Sequence, residues 1–155
     1  MPDVSLYMRD PRTLTKKEKM IEAEMNSLGY VLAYTKHTSD ELLMSASSFE
    51  NVSPYMRLNA FTLRYHLNEN EVARYIIIVY PELMKVKRRK RMQFLLQIMI
   101  HELTHAILLE DKTWSKLKDG VSDLLTFHGL RFSEVYTDLC NKYRIKNPDA
   151  SIYLR

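Results

Sequence analysis

Cysteine is almost absent from this chain: Cys140 is the only one in 155 residues. A single thiol excludes an internal disulfide framework and any multi-cysteine zinc ribbon. A reducing, intracellular setting is the simplest expectation. Glycine and proline are scarce too, with three and five residues, so long disordered segments are not expected. Residues 1–10 lack a basic stretch followed by an apolar one, so they do not read as a secretory signal. The longest apolar runs are interrupted by charges, and none reads as a membrane span. No membrane partner is expected on that basis. There is no internal repeat and no low-complexity segment.

What remains is a chain long enough for one domain with a substantial core. Its net charge of +4 mildly favours polyanionic partners and requires none. The expected division is an N-terminal arm over 1–14, a folded domain over 15–145 and a tail over 146–155. Thr15 and Glu18 form a capping box. Ile21, Met25 and Leu28 follow at helical spacing, and Gly29 is a stop signal, so a helix is predicted over 16–28. Residues 30–34 are rich in strand formers. Residues 40–44 fit either a short helix or a strand. Two strands are predicted over 56–66 and 74–80, joined by turn residues Asn68 and Asn70 into a hairpin that Pro81 ends. In the first, Phe61, Leu63 and Tyr65 share one side. A long helix is predicted over 87–109, with a buried stripe including Leu95, Leu96, Met99, Ile100, Leu103, Ala106 and Ile107. A last helix is predicted over 130–143, with Phe132, Val135, Tyr136 and Leu139 inward.

The long helix carries His101-Glu102-Leu103-Thr104-His105, an HExxH pattern. Residues four apart share a helix face, so both imidazoles project the same way and are suited to one zinc ion. Glu102 lies one step round the helix, placed to act on a water at that metal. The competing reading is a pair of ordinary histidines on an amphipathic helix.

A catalytic zinc site usually takes three protein ligands and keeps one open position. The extended HExxHxxGxxH pattern is excluded, because Leu108 and Asp111 occupy the places of its glycine and third histidine. Glu134 is the candidate for a glutamate-type third ligand, and Asp111 or Asp123 for an aspartate version. His128 is preferred, because it opens the final helix beside Gly129, which permits close backbone approach. His37 and His66 read as surface or hairpin residues.

Over about 61–139 the chain resembles the SprT-like (Spartan-type) zinc metallopeptidase domain. The resemblance is carried by the run Met99 to Ala106, containing HExxHA, and by His128-Gly129-Leu130-Arg131-Phe132, similar to the family's HGxxF element. Pro81-Glu82-Leu83-Met84 and the basic segment after it add to it. It implies an α+β fold with a minimal zincin core: a small, partly antiparallel sheet on the metal helix, with N- and C-terminal helices. It also implies ligands His101, His105 and His128, a catalytic Glu102, one Zn2+ per chain and a protein substrate. Family members are commonly associated with cleavage of DNA-bound proteins. Many carry an additional zinc ribbon or DNA-binding tail; the ribbon is missing here.

In such a site the glutamate moves the water proton to the leaving amine, and Tyr136, Arg131 or His66 could supply a further oxyanion donor by residue type. A second feature is the run Lys85, Lys87, Arg88, Arg89, Lys90 and Arg91, six cations in seven positions. It falls at the start of the metal helix, where the dipole disfavours positive charge. That placement is intelligible if an anionic partner such as DNA docks there. A solvated helix entry is the plainer alternative.

Overall fold

The computed structural model describes residues 6–7, 9, 14–45, 58–111 and 129–146. They form an α+β fold with a mixed four-stranded sheet and five helices. The first helix, α1 (Lys16–Ser27), starts where the capping box predicts. The Thr15 hydroxyl accepts the Glu18 backbone N–H at 3.2 Å, and the Glu18 carboxylate accepts the Thr15 N–H at 3.3 Å. At the other end, Gly29 adopts φ +89°. There its N–H reaches the Asn26 carbonyl, and the Tyr30 N–H reaches Met25 at 3.0 Å. That is a Schellman closure, which needs a left-handed residue at this place.

Strand β2 (Val31–Thr35) follows, then α2 (Ser39–Ser45), which settles the ambiguous segment as helix. Next come β3 (Ala60–His66) and β4 (Val72–Val79), paired antiparallel as the predicted hairpin. Two features were not anticipated. The arm contributes a short strand, β1 (Leu6–Tyr7), antiparallel to β2. Strand β4 then pairs parallel with β2, giving the order β1-β2-β4-β3. Pro81 does end β4, but it also opens a one-turn helix, α3 (Tyr80–Met84), a position that tolerates its missing N–H.

The alternation of β3 and β4 divides two cores. Phe61, Ile77 and Val79 pack with Leu42 of α2 on one face. Ile76 and Ile78 face the main core, with Leu32 and Tyr34 of β2 and the long helix α4 (Arg88–Glu110). Every residue of α4 from Leu95 to Ala106 is buried. The predicted stripe is therefore too narrow. This segment is enclosed all round, by the sheet, α1 and the last helix, α5 (Leu130–Tyr143). By length and composition α4 is apolar enough to cross a membrane, contrary to expectation; 72% of its most apolar window is buried against the rest of the protein. The charges at its start had masked how apolar the remainder is.

One end of α4 is clamped to the hairpin. The Glu110 carboxylate accepts hydrogen bonds from Arg74 Nε at 2.8 Å, Arg64 Nε at 3.0 Å and the Tyr30 hydroxyl at 3.0 Å. Arg64 and Arg74 are direct cross-strand partners, so Glu110 also neutralises two like charges set side by side.

Candidate metal centre

Four residues apart on α4, His101 and His105 turn their rings toward each other. Their Nε2 atoms lie 3.2 Å apart, with the rings at 74°. Two nitrogens at 2.0–2.1 Å from a tetrahedral zinc would be about 3.3 Å apart. The spacing fits a shared metal ion. One ligand atom from each of His101, Glu102 and His105 lies within 4.8 Å of the others, and all three residues are buried. That places a carboxylate beside the imidazole pair, near enough to act on a molecule held there.

Glu102 is held from the sheet. Thr62, on the helix-facing side of β3, is buried and donates its hydroxyl to Glu102 Oε2 at 2.6 Å. The same hydroxyl lies 3.2 Å from the Glu102 carbonyl oxygen. Thr62 escaped the sequence reading. A threonine in a strand is an ordinary β-former, and only its register opposite Glu102, forty residues away, distinguishes it.

The wall opposite comes from α5. Its N-cap is Gly129, in extended conformation. One turn on, Phe132 packs against both imidazoles, with centroid distances of 5.0 Å to His101 and 4.7 Å to His105. Tyr136 stacks on Phe132 and stands 6.3 Å from the His101 ring. Burial pushes the neighbouring Cys140 thiol up in pKa.

The other sequence candidates fall as follows. His128 and Asp123 lie outside the described residues. Glu134 is exposed on α5 beside Arg131, at 3.4 Å, and Asp111 caps the end of α4; neither joins the His101–Glu102–His105 group. His37 pairs with Glu41 at 2.8 Å at the entry to α2. His66 is exposed at the far end of β3, four residues or about 13 Å of strand from Thr62. Of the three donor candidates, Tyr136 is the one beside the imidazoles, while Arg131 and His66 are exposed.

The basic run divides in two. Lys85 pairs with the buried carboxylate of Glu82 at 3.0 Å. Arg91 is half-buried, and its Nη2 donates to the carbonyls of Met84 and Val86 at 3.3 and 3.2 Å, joining α3 to α4. Those two cations serve the fold. Lys87, Arg88, Arg89 and Lys90 are exposed at the start of α4.

No protein-family model, curated protein or solved structure matches this chain. A functional reading therefore rests on the motif and on the geometry just described.

Proposed function

We propose that this chain is a zinc-dependent metalloendopeptidase of SprT-like type, acting on protein substrates. The observation that carries the reading is the convergence of the two buried Nε2 atoms at 3.2 Å beside the Glu102 carboxylate. A direct imidazole–imidazole hydrogen bond gives a similar separation, so the separation supports metal binding without requiring it. The carboxylate argues further, since a purely structural zinc site has no use for a base beside it.

In this reading His101 and His105 hold the ion, with His128 as the third ligand. Support for His128 comes from its chain neighbours: Gly129 starts α5, and Phe132 rests on both imidazoles. A bound zinc would supply Lewis acidity, lowering the pKa of water toward ~7 and polarising a carbonyl. Glu102 accepts a proton from the attacking water and returns it to the departing amine. Phe132, Tyr136 and the core behind α4 limit water around these groups, which strengthens each electrostatic contact. The small mixed sheet lying against the HExxH helix is the arrangement expected of a zincin core. Strand β3 is one of its two edges among the described residues, β1 being the other, and an edge strand can take up an extended peptide by backbone pairing.

The exposed cations at residues 87–90 favour a substrate population associated with DNA. A non-enzymatic zinc-containing DNA-binding or adaptor domain is the rival reading, and a dedicated processing protease with no DNA role is a third. Metal analysis of the purified protein, followed by cleavage assays on free and DNA-bound proteins, separates them. About one zinc per chain is expected. Glu102→Gln should retain zinc and fold while losing about 10²–10⁴ in rate. Zinc-loaded protein that cleaves nothing would favour the adaptor; equal cleavage with and without DNA would favour the processing protease. Absence of zinc binding would return the two histidines to a hydrogen-bonded core pair.

A further inference from the structure

We infer that Thr62 is the positioning residue for Glu102, and that the edge strand thereby sets the geometry of the proposed base. The inference rests on the peptidase reading for its catalytic consequence, and on geometry alone for the positioning itself.

A glutamate on a helix has three side-chain torsions, and ordering such a chain costs rotamer entropy. Glu102 is two helix turns or more from either end of α4, so neither end of its own helix holds its carboxylate. The donor comes from another element. Thr62 is 4% exposed, and its hydroxyl approaches Oε2 at 2.6 Å, the short range of a hydroxyl donating to a carboxylate. That hydroxyl has one proton. The carboxylate at 2.6 Å is the better acceptor than the carbonyl at 3.2 Å, so the proton lies on the Oε2 side.

Two residues along the same strand face, Arg64 bonds Glu110, two helix turns beyond Glu102. The two contacts lock β3 and α4 in one register. A shift of that register would carry Thr62 away from Oε2. Threonine also suits the position in a way serine and valine each match only in part: its methyl fills the buried strand site, and its hydroxyl makes the bond. Valine keeps the shape and strand preference without the donor. Serine keeps the donor with one methyl fewer.

The experiment compares wild type, Thr62→Val and Thr62→Ser as full-length, zinc-loaded proteins. Two readouts are taken: steady-state cleavage of a fluorogenic peptide library, and the side-chain carboxyl 13C signal of Glu102, assigned through Glu102→Gln in glutamate-labelled protein. Thr62→Val should lower kcat by about 10–100-fold, the scale of an ångström-level misplacement, with KM and zinc content unchanged. Its Glu102 signal should shift or broaden. Thr62→Ser should restore both. A Val variant with wild-type kcat and an unchanged signal overturns the assignment. So does a folded Ser variant that fails to recover, because the hydroxyl it retains would then not suffice to position Glu102. If wild type cleaves nothing, the peptidase reading fails separately. The Glu102 signal then decides the positioning claim: a change in Val reversed in Ser upholds it, and identical signals in all three refute it.

Discussion

Replacing Glu110 with glutamine tests how the helix that carries the imidazoles is anchored. The wild-type carboxylate is 21% exposed and receives Arg74, Arg64 and Tyr30. Glutamine keeps the shape and one acceptor oxygen but removes the charge. Hydrogen bonds to charged groups contribute about 1.5–3 kcal/mol, and neutral ones about 1. Losing the charge assistance of two arginine contacts, discounted for their partial exposure, gives about 1–2 kcal/mol. Uncompensated repulsion between the opposed Arg64 and Arg74 adds to it. For a chain of this size that corresponds to a Tm drop of about 2–8 °C near neutral pH.

The pH dependence has a defined sign. Burial would raise the Glu110 pKa, but hydrogen bonds from Arg74 and Tyr30 and the charges of Arg74 and Arg64 outweigh it, so the net shift is downward. A carboxylate depressed in the folded state contributes stability that is present above its unfolded value, about 4.3, and is lost as pH falls through the folded value. The gap between wild type and Glu110→Gln should be constant from neutral to about pH 5 and should close below that. Thermal unfolding followed by circular dichroism across this range is the assay. A variant within about 1 °C of wild type at neutral pH, or a gap unchanged in acid, would refute the argument.

Gly29→Ala should cost about 1 kcal/mol in urea unfolding. The nearest atom to an added Cβ is Arg74 Cδ at 3.5 Å, ordinary contact, so the cost is the φ of +89° and not a clash; a neutral or stabilising result would remove the Schellman argument. The triple replacement of Lys87, Arg88 and Arg89 by serine should weaken DNA binding and flatten its salt dependence while leaving zinc content intact. DNA titrations at several salt concentrations measure this, and equal binding by the variant returns the segment to a solvated surface. Arg91→Ala should behave differently from those three, lowering thermal stability through the lost contacts to Met84 and Val86; unchanged stability would restore Arg91 to the free basic face.

Local chemistry was legible without the fold. The Thr15–Glu18 box, the Gly29 stop and the last helix depend on neighbours in sequence and lie where their residues predict. The hairpin forms as predicted, with its first strand starting at Ala60 and not at 56, and its second at Val72 and not at 74. The meeting of His101 and His105 is of the same kind, because a spacing of four on a helix already puts two rings on one face. Whatever depended on distant partners was not legible. The parallel pairing of β2 with β4 and the recruitment of Leu6–Tyr7 into the sheet have no local signature. The full enclosure of α4 needed three other elements to be placed first. The basic run read as one feature, yet Lys85 pairs with Glu82 and Arg91 with the Met84 and Val86 carbonyls, while the cations between them carry no such contact to the helix before α4. Thr62 shows the limit most sharply. Residue type made it a strand former, and only the register of β3 on α4, held by Arg64 and Glu110, makes it a partner of Glu102. Helix periodicity can align residues a turn apart, but a hydrogen bond across forty residues exists only once packing has brought the two segments together.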